Sequence, residues 1–243
     1  MSKAHLLSPA AKEQALRSLI ESPPNFHRWE DADPSKPPSD NGLVNWGMRP
    51  SFLKWLVTIV HSEWTTLETG TGISTVCFAI TGANHIAISP FAREHDRIRR
   101  YCANHGISTE RVTFLAEPPT SALPSTTAQL DLGIIDGCHA FPHPVLDYVY
   151  IDRQLKVGAI LVIDDLDIAS VGTLHRFVIE DAGYELMMID SEKTGIYRKA
   201  QPTEHQDNWS GQKMNRFYPD ASYLPNRSIN RRLRDALRHW RAR

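Results

Sequence analysis

Between residues 65 and 199, short apolar runs alternate with segments long enough to be helices, and this alternation restricts the fold more than any other feature of the chain. The runs are Thr65–Glu68, His85–Ser89, Arg111–Leu115, Leu130–Ile135 and Ala159–Ile163, separated by Ser74–Thr81, Arg93–His105, Pro118–Thr127 and Pro144–Leu155. Strands that are apolar along most of their length are buried on both faces, and strand–helix–strand alternation builds a parallel sheet covered on both sides. A helix over Val171–Ala182 and two further strands, Tyr184–Ile189 and Gly195–Arg198, follow. The last two are near enough in sequence to pair antiparallel at one sheet edge. The expected fold is α/β: a doubly wound, mostly parallel, seven-stranded sheet of Rossmann-like type over residues 46–199.

The flanks read differently. Residues 1–45 are expected to be an extension: a helix over 8–21, capped by Ser8 with Pro9 in its first turn, then an irregular segment holding Pro23, Pro24, Pro34, Pro37 and Pro38. A helix follows Pro50, with Phe52, Leu53, Leu56, Ile59 and Val60 near one face. Residues 200–243 read as a polar linker and a basic amphipathic helix, its stripe running Ile229, Leu233, Ala236, Leu237, Trp240. That tail carries nine Lys/Arg against four Asp/Glu, leaving 18 against 24 in the rest of the chain. The body is therefore not a nucleic-acid binder by charge, and the tail is a candidate surface for docking on the parent domain or on a second copy in a homo-oligomer. No apolar run reaches the ~20 residues that span a bilayer, and the first residues lack a secretory h-region. Three cysteines without a CxxC spacing fit reduced thiols and a cytoplasmic location.

Two constellations carry chemistry. The first is Glu68-Thr69-Gly70-Thr71-Gly72, followed by Ser74-Thr75 at the start of a helix. Gly70 and Gly72 permit a sharp turn and close approach to a ligand, Ser74 or Thr75 can cap the helix, and the first such turn of a doubly wound sheet is the usual cofactor site. Thr75 stands where a dinucleotide fingerprint needs Gly or Ala, and no Gly-Lys-Ser/Thr follows for a P-loop. An acid at the strand end suits a cationic ligand group. The second constellation is Asp136-Gly137-Cys138-His139 after one strand and Asp164-Asp165 after the next. Strand ends in such a sheet face the ligand crevice. Three carboxylates there suit Mg²⁺ or another hard divalent cation, and His139 is placed as a general base. His139 and His143 also have an HxxxH spacing, but Pro142 and Pro144 break the helical register that a zinc pair would need.

With these residues in view, Glu68-Thr69-Gly70-Thr71-Gly72 resembles motif I of class I S-adenosylmethionine-dependent methyltransferases. Asp136-Gly137-Cys138-His139, Leu155-Lys156-Val157-Gly158 and Asp164-Asp165 resemble, in order, the pattern of the macrocin-type and sugar O-methyltransferase branch. The resemblance covers about residues 46–199. It implies an S-adenosylmethionine-dependent enzyme that methylates a hydroxyl of a small molecule with the help of a divalent cation. By the same resemblance Glu68, Thr69, Gly70, Thr71, Gly72, Ser74 and Thr75 line the cofactor, joined by Ser89, Glu117 and Asp136. Asp136, Asp164 and Asp165 match the metal-binding aspartates, and His139 with Asp136 the catalytic pair. The chain departs from the pattern at Ser89, where the family usually has an acid for the ribose hydroxyls. The rival readings are an NAD-dependent oxidoreductase and a non-catalytic binding module of the same fold.

Overall fold

The chain is described from a computed structural model covering residues 6–32, 35–180, 182–203 and 211–215. It divides into two compact units, 1–205 and 206–243. In the second only 211–215 are described, and the expected basic helix over 228–243 lies outside the described residues. Among the described residues, no helix is long and apolar enough to cross a membrane.

The first unit is a sheet in the order β3-β2-β1-β4-β5-β7-β6. Its strands are β1 (Thr65–Thr69), β2 (Asn84–Ile88), β3 (Val112–Leu115), β4 (Leu130–Ile135), β5 (Leu155–Ile163), β6 (Tyr184–Asp190) and β7 (Thr194–Lys199). The first five are parallel, and β7 runs antiparallel to both β5 and β6. The doubly wound expectation holds, including the antiparallel pair at the edge. β5 is longer than expected, because Lys156-Val157-Gly158 enters the strand through an irregular pairing with β4 near Leu130.

Two apolar clusters cover the faces. One joins α1 (Pro9–Glu21), α2 (Pro50–Ile59), α3 (Ile73–Thr81) and α4 (Ala92–Asn104) to Leu132, Ile134, Val162 and Ile196 of the sheet. The other joins α5 (Pro119–Ala122), α6 (His143–Gln154) and α7 (Ala169–Glu180) to Leu67, Ile135, Leu161, Ile163 and Tyr197. Neighbouring residues of one strand thus enter opposite clusters, as the two-residue period of a pleated strand requires. The segment expected as a helix over Pro118–Thr127 is only the single turn α5 plus a 3-10 turn over Leu123–Ser125. Pro124 lacks the N–H that a continuing helix would use. α3 is buried at every position, which explains its apolar run, and it ends at Gly82, whose φ of 78° only glycine adopts cheaply.

Register decides what meets at the ligand edge. Thr69 pairs with Ile88 and Ile135, Ile135 pairs with Ile163, and Ile88 pairs with Leu115. The next residues, Gly70, Ser89, Asp136 and Asp164, therefore leave the sheet side by side. The strand order reverses between β1 and β4, where such sheets open a crevice. At that point the backbones nearly touch. A Cβ on Gly70 would lie 2.2 Å from the Asp136 carbonyl oxygen, and Gly70 has φ 85°. Gly72 has φ 172°, extended backbone open to any residue, and a Cβ there would meet only the His27 ring at 3.1 Å. Gly70→Ala should therefore cost at least about 2 kcal/mol, whereas Gly72→Ala should cost less than about 1 kcal/mol. Urea unfolding of the two variants beside the parent checks the contrast.

Candidate active site

Of the residues proposed to line a cofactor, Glu68 is placed unlike the rest. Its carboxylate turns into the sheet and is 1% exposed. It accepts hydrogen bonds from Ser74 Oγ at 2.6 Å, from Thr75 Oγ1 and from His85 Nε2 at 3.1 Å. The second nitrogen of His85 meets Thr66 Oγ1 at 2.8 Å, and its ring stacks on Phe78. Glu68 thus braces the turn from beneath and presents no free face to the crevice. Gly72 is the N-cap of α3, and of the two expected capping residues Thr75 serves from N3, its Oγ1 accepting from the Gly72 N–H at 3.0 Å as in a capping box. The hydroxyls turn inward because a buried carboxylate must be satisfied by donors.

Thr71 and Ser89 are buried beside the turn and share one partner. Both hydroxyls donate to Glu94 Oε2, at 3.2 and 3.1 Å, and His27 Nδ1 approaches Glu94 Oε1 at 3.1 Å. Glu94 lies in the first turn of α4 and is 3% exposed. A carboxylate thus stands against Ser89, five residues later in the chain. The signal in the sequence was the departure at Ser89 itself, followed by an acid at a helix start. His27 comes from the segment expected to be irregular. That segment is anchored: His27 and Val44 exchange backbone hydrogen bonds at 3.2 and 2.9 Å, and Trp46 stacks on His27. Arg97 of α4 binds Asp31, Asp40 and the carbonyls of Phe26 and Ser39. Glu117 is exposed in the loop between β3 and α5.

The other half of the edge is acidic. His139 Nε2 lies 2.9 Å from Asp165 Oδ2. Asp165 is held down to about 2, by the hydrogen bond from His139 first and by Lys193 against the cost of burial. Asp165 is therefore an acceptor at neutral pH, and His139 Nε2 turns a proton toward it. Asp136, partly buried beside them, is pushed well above the usual carboxylate range by burial and by Asp164 and Asp165. Asp136, His139 and Asp165 bring ligand atoms within 4.8 Å of one another. Asp164 does not join them. One of its oxygens accepts from Thr194 Oγ1 and the other lies 3.2 Å from Lys193 Nζ, which also lies 2.9 Å from Asp165 Oδ1. Of the set expected to hold a divalent cation, Asp136 and Asp165 come together with His139 as a candidate ligand group, while Asp164 is turned to Thr194 and Lys193. The sequence reading missed Lys193; it sits in a turn with no motif.

The comparisons with known proteins bear on the fold. A family model described as a methyltransferase domain matches residues 67–166. That match covers less than half of the chain, and the sheet has the Rossmann-like fold of the class I methyltransferases. No curated protein matches in sequence. The solved structures it resembles include cofactor-bound Rv0187 from MTB, at 16% identity and TM-score 0.58 over 79% of this chain and 89% of that one. The S-adenosylhomocysteine-bound methyltransferase PaMTH1 of Podospora anserina matches at 14% identity and TM-score 0.53 over 81% and 90%. The O-methyltransferase of Bacillus cereus, also in complex with S-adenosylhomocysteine, matches at 14% identity and TM-score 0.52 over 81% and 94%.

Asp147 of α6 lies beneath the site loop: a Cβ on Gly137 would come 3.3 Å from Thr69 Oγ1 and 3.4 Å from Asp147 Oδ2. Burial pushes Asp147 up to about 6, with the Thr69 hydroxyl and His143 pulling the other way. Between about pH 4 and pH 6 the unfolded chain has released this proton and the folded chain has not, so stability falls as pH rises across that window. At one pKa unit per ~1.4 kcal/mol the loss reaches up to about 3 kcal/mol. Asp147→Asn should remove it, gaining stability over the parent at pH 7 but not at pH 4. Urea unfolding of both proteins at the two pH values measures the difference.

Proposed function

We propose that the chain transfers a methyl group from S-adenosylmethionine to a hydroxyl oxygen of a small molecule, with His139 as general base. The observation that carries the reading is the His139–Asp165 pair at the strand edge shared with the Gly70–Gly72 turn. The residues suit the cofactor. The turn offers backbone without side chains, and Glu94 holds the hydroxyls of Thr71 and Ser89 beside it. Asp136 adds polar surface where the reacting groups would meet. In this reading Thr69, Gly70, Thr71, Gly72, Ser89 and Asp136 contact the cofactor, and Glu68, Ser74, Thr75 and Glu94 hold the turn in shape. An edge lined by carboxylates disfavours a polyanion, which supports a small-molecule acceptor over a nucleic acid.

When bound, S-adenosylmethionine supplies an electrophilic methyl group on a sulfonium. The chain must hold the acceptor oxygen in line with that methyl carbon and remove its proton as the new bond forms. His139 Nδ1 takes the proton. Asp165, ionised and hydrogen-bonded to Nε2, fixes the tautomer and balances the charge that His139 gains. Burial and the neighbouring Asp164 and Asp165 favour the protonated form of Asp136 beside the acceptor. An oxidoreductase reading is weaker, since Thr75 is locked to Glu68 where a dinucleotide fold needs a small residue.

Calorimetry should show S-adenosylhomocysteine binding in preference to NAD. In assays of methyl transfer to a panel of hydroxyl-bearing small molecules, His139→Ala should lower kcat by roughly 10²–10⁴-fold, with S-adenosylhomocysteine affinity changed by less than about threefold. Preferential NAD binding overturns the cofactor reading, and full turnover by His139→Ala removes His139 as the base.

A further inference from the structure

We propose that Lys193 stands where a metal-dependent methyltransferase would hold its divalent cation, so that the chain carries the positive charge of its acceptor site as a covalent part of itself. The inference rests on the methyl-transfer reading above only for what the charge is used for; the placement of the charge stands alone. The Lys193 ammonium lies 2.9 Å from Asp165 Oδ1 and 3.2 Å from Asp164 Oδ2. It therefore bridges the two carboxylates that follow β5, while the second oxygen of Asp165 faces His139. A dication entering among Asp136, His139 and Asp165 would share the Asp165 carboxylate with this ammonium, and like charges held on one carboxylate repel.

The backbone is arranged to deliver this side chain. Lys193 closes the β6–β7 turn, with its N–H bonded to the Asp190 carbonyl at 3.0 Å. Its own carbonyl accepts from Leu166 N–H at 2.9 Å, which ties the turn to the loop after β5. The two central residues of the turn, Ser191 and Glu192, have φ of 51° and 61°, and Asp165 has φ 59°. Among the described residues these are the three non-glycine positions in the left-handed region. Turns of this shape ordinarily use Asn-Gly or Gly-Gly, so Ser191-Glu192 is not a turn chosen for its ease. Strain of this kind persists where surrounding contacts over-determine it, and it clusters at functional sites. Here all of it converges on one ammonium between two carboxylates.

Lys193 is on this view a positioning residue. Its charge fixes one oxygen of Asp165, which leaves the other aimed at His139 Nε2. It also offsets the negative charge of Asp164 and Asp165, as a bound cation would.

The test is Mn²⁺ binding, followed by electron paramagnetic resonance and calorimetry, to the parent, Lys193→Met and Lys193→Arg, with S-adenosylhomocysteine binding measured on the same samples. The parent and Lys193→Arg should show no saturable Mn²⁺ site. Lys193→Met, similar in length and without charge, should bind one Mn²⁺ per chain at least about tenfold more tightly. Lys193→Gln serves as a second neutral variant should Lys193→Met not fold. Stoichiometric Mn²⁺ binding by the parent as tight as by the neutral variants overturns the proposal, as does absence of binding by every variant. Absence of S-adenosylhomocysteine binding by the parent would count against the methyltransferase reading and leave the Mn²⁺ comparison to decide the place of Lys193.

Discussion

The buried carboxylate of Glu68 ties together the parts on which the ligand edge depends. It belongs to β1, its hydroxyl donors Ser74 and Thr75 belong to α3, and His85 belongs to β2. A carboxylate removed from water is tolerated only with donors on its oxygens, so these elements must arrive in one arrangement for the charge to be satisfied. The Gly70–Gly72 turn lies between the strand and the helix so fixed. Its path is set before any ligand is present, by Glu68 from below and by the Asp136 backbone against Gly70 from the side. Preorganisation of this kind reduces the ordering that a ligand would otherwise have to impose.

A second layer of polar contacts sits on top. Glu94 gathers Thr71, Ser89 and His27, and Arg97, one turn further along α4, holds the segment from which His27 comes. Asp31, whose side chain is 1% exposed, is bound by that guanidinium. The pair is costly to break because either partner alone would be a buried charge. The N-terminal segment is therefore part of the crevice wall, although its prolines and polar residues give it no periodicity of its own.

That contrast marks how far the sequence could be read. The parallel sheet was legible because burial on both faces writes itself as short apolar runs, and the edge pair β6–β7 because two such runs lie close together. Gly70, Asp136, His139, Asp164 and Asp165 were legible because strand ends in this fold face the crevice. Glu68 was found but given the wrong facing, since a motif shows which residue stands at a strand end and not which way its side chain turns. Residues that reach the site through tertiary contact left a weaker trace. His27 sits 67 positions from Glu94, and Lys193 sits 29 residues after Asp164 in a turn of ordinary composition. Their places depend on strand register and on how segments cross, and no local period encodes either.

The antiparallel β7 gives this site an access that a wholly parallel sheet lacks. In β1 to β5 every strand ends at the ligand edge, so only residues that follow a strand can project there. β7 runs the other way: Gly195 pairs with Ile163, so β7 begins where β5 ends. The residues before β7 therefore reach the same edge as Asp164 and Asp165, from the opposite chain direction. Thr194 meets Asp164 at that place, and Lys193 bridges both carboxylates. The reversal of one strand thus brings a lysine against the acids of its parallel neighbour. The left-handed residues Ser191 and Glu192 are the local means by which a tight hairpin turns early enough to do so.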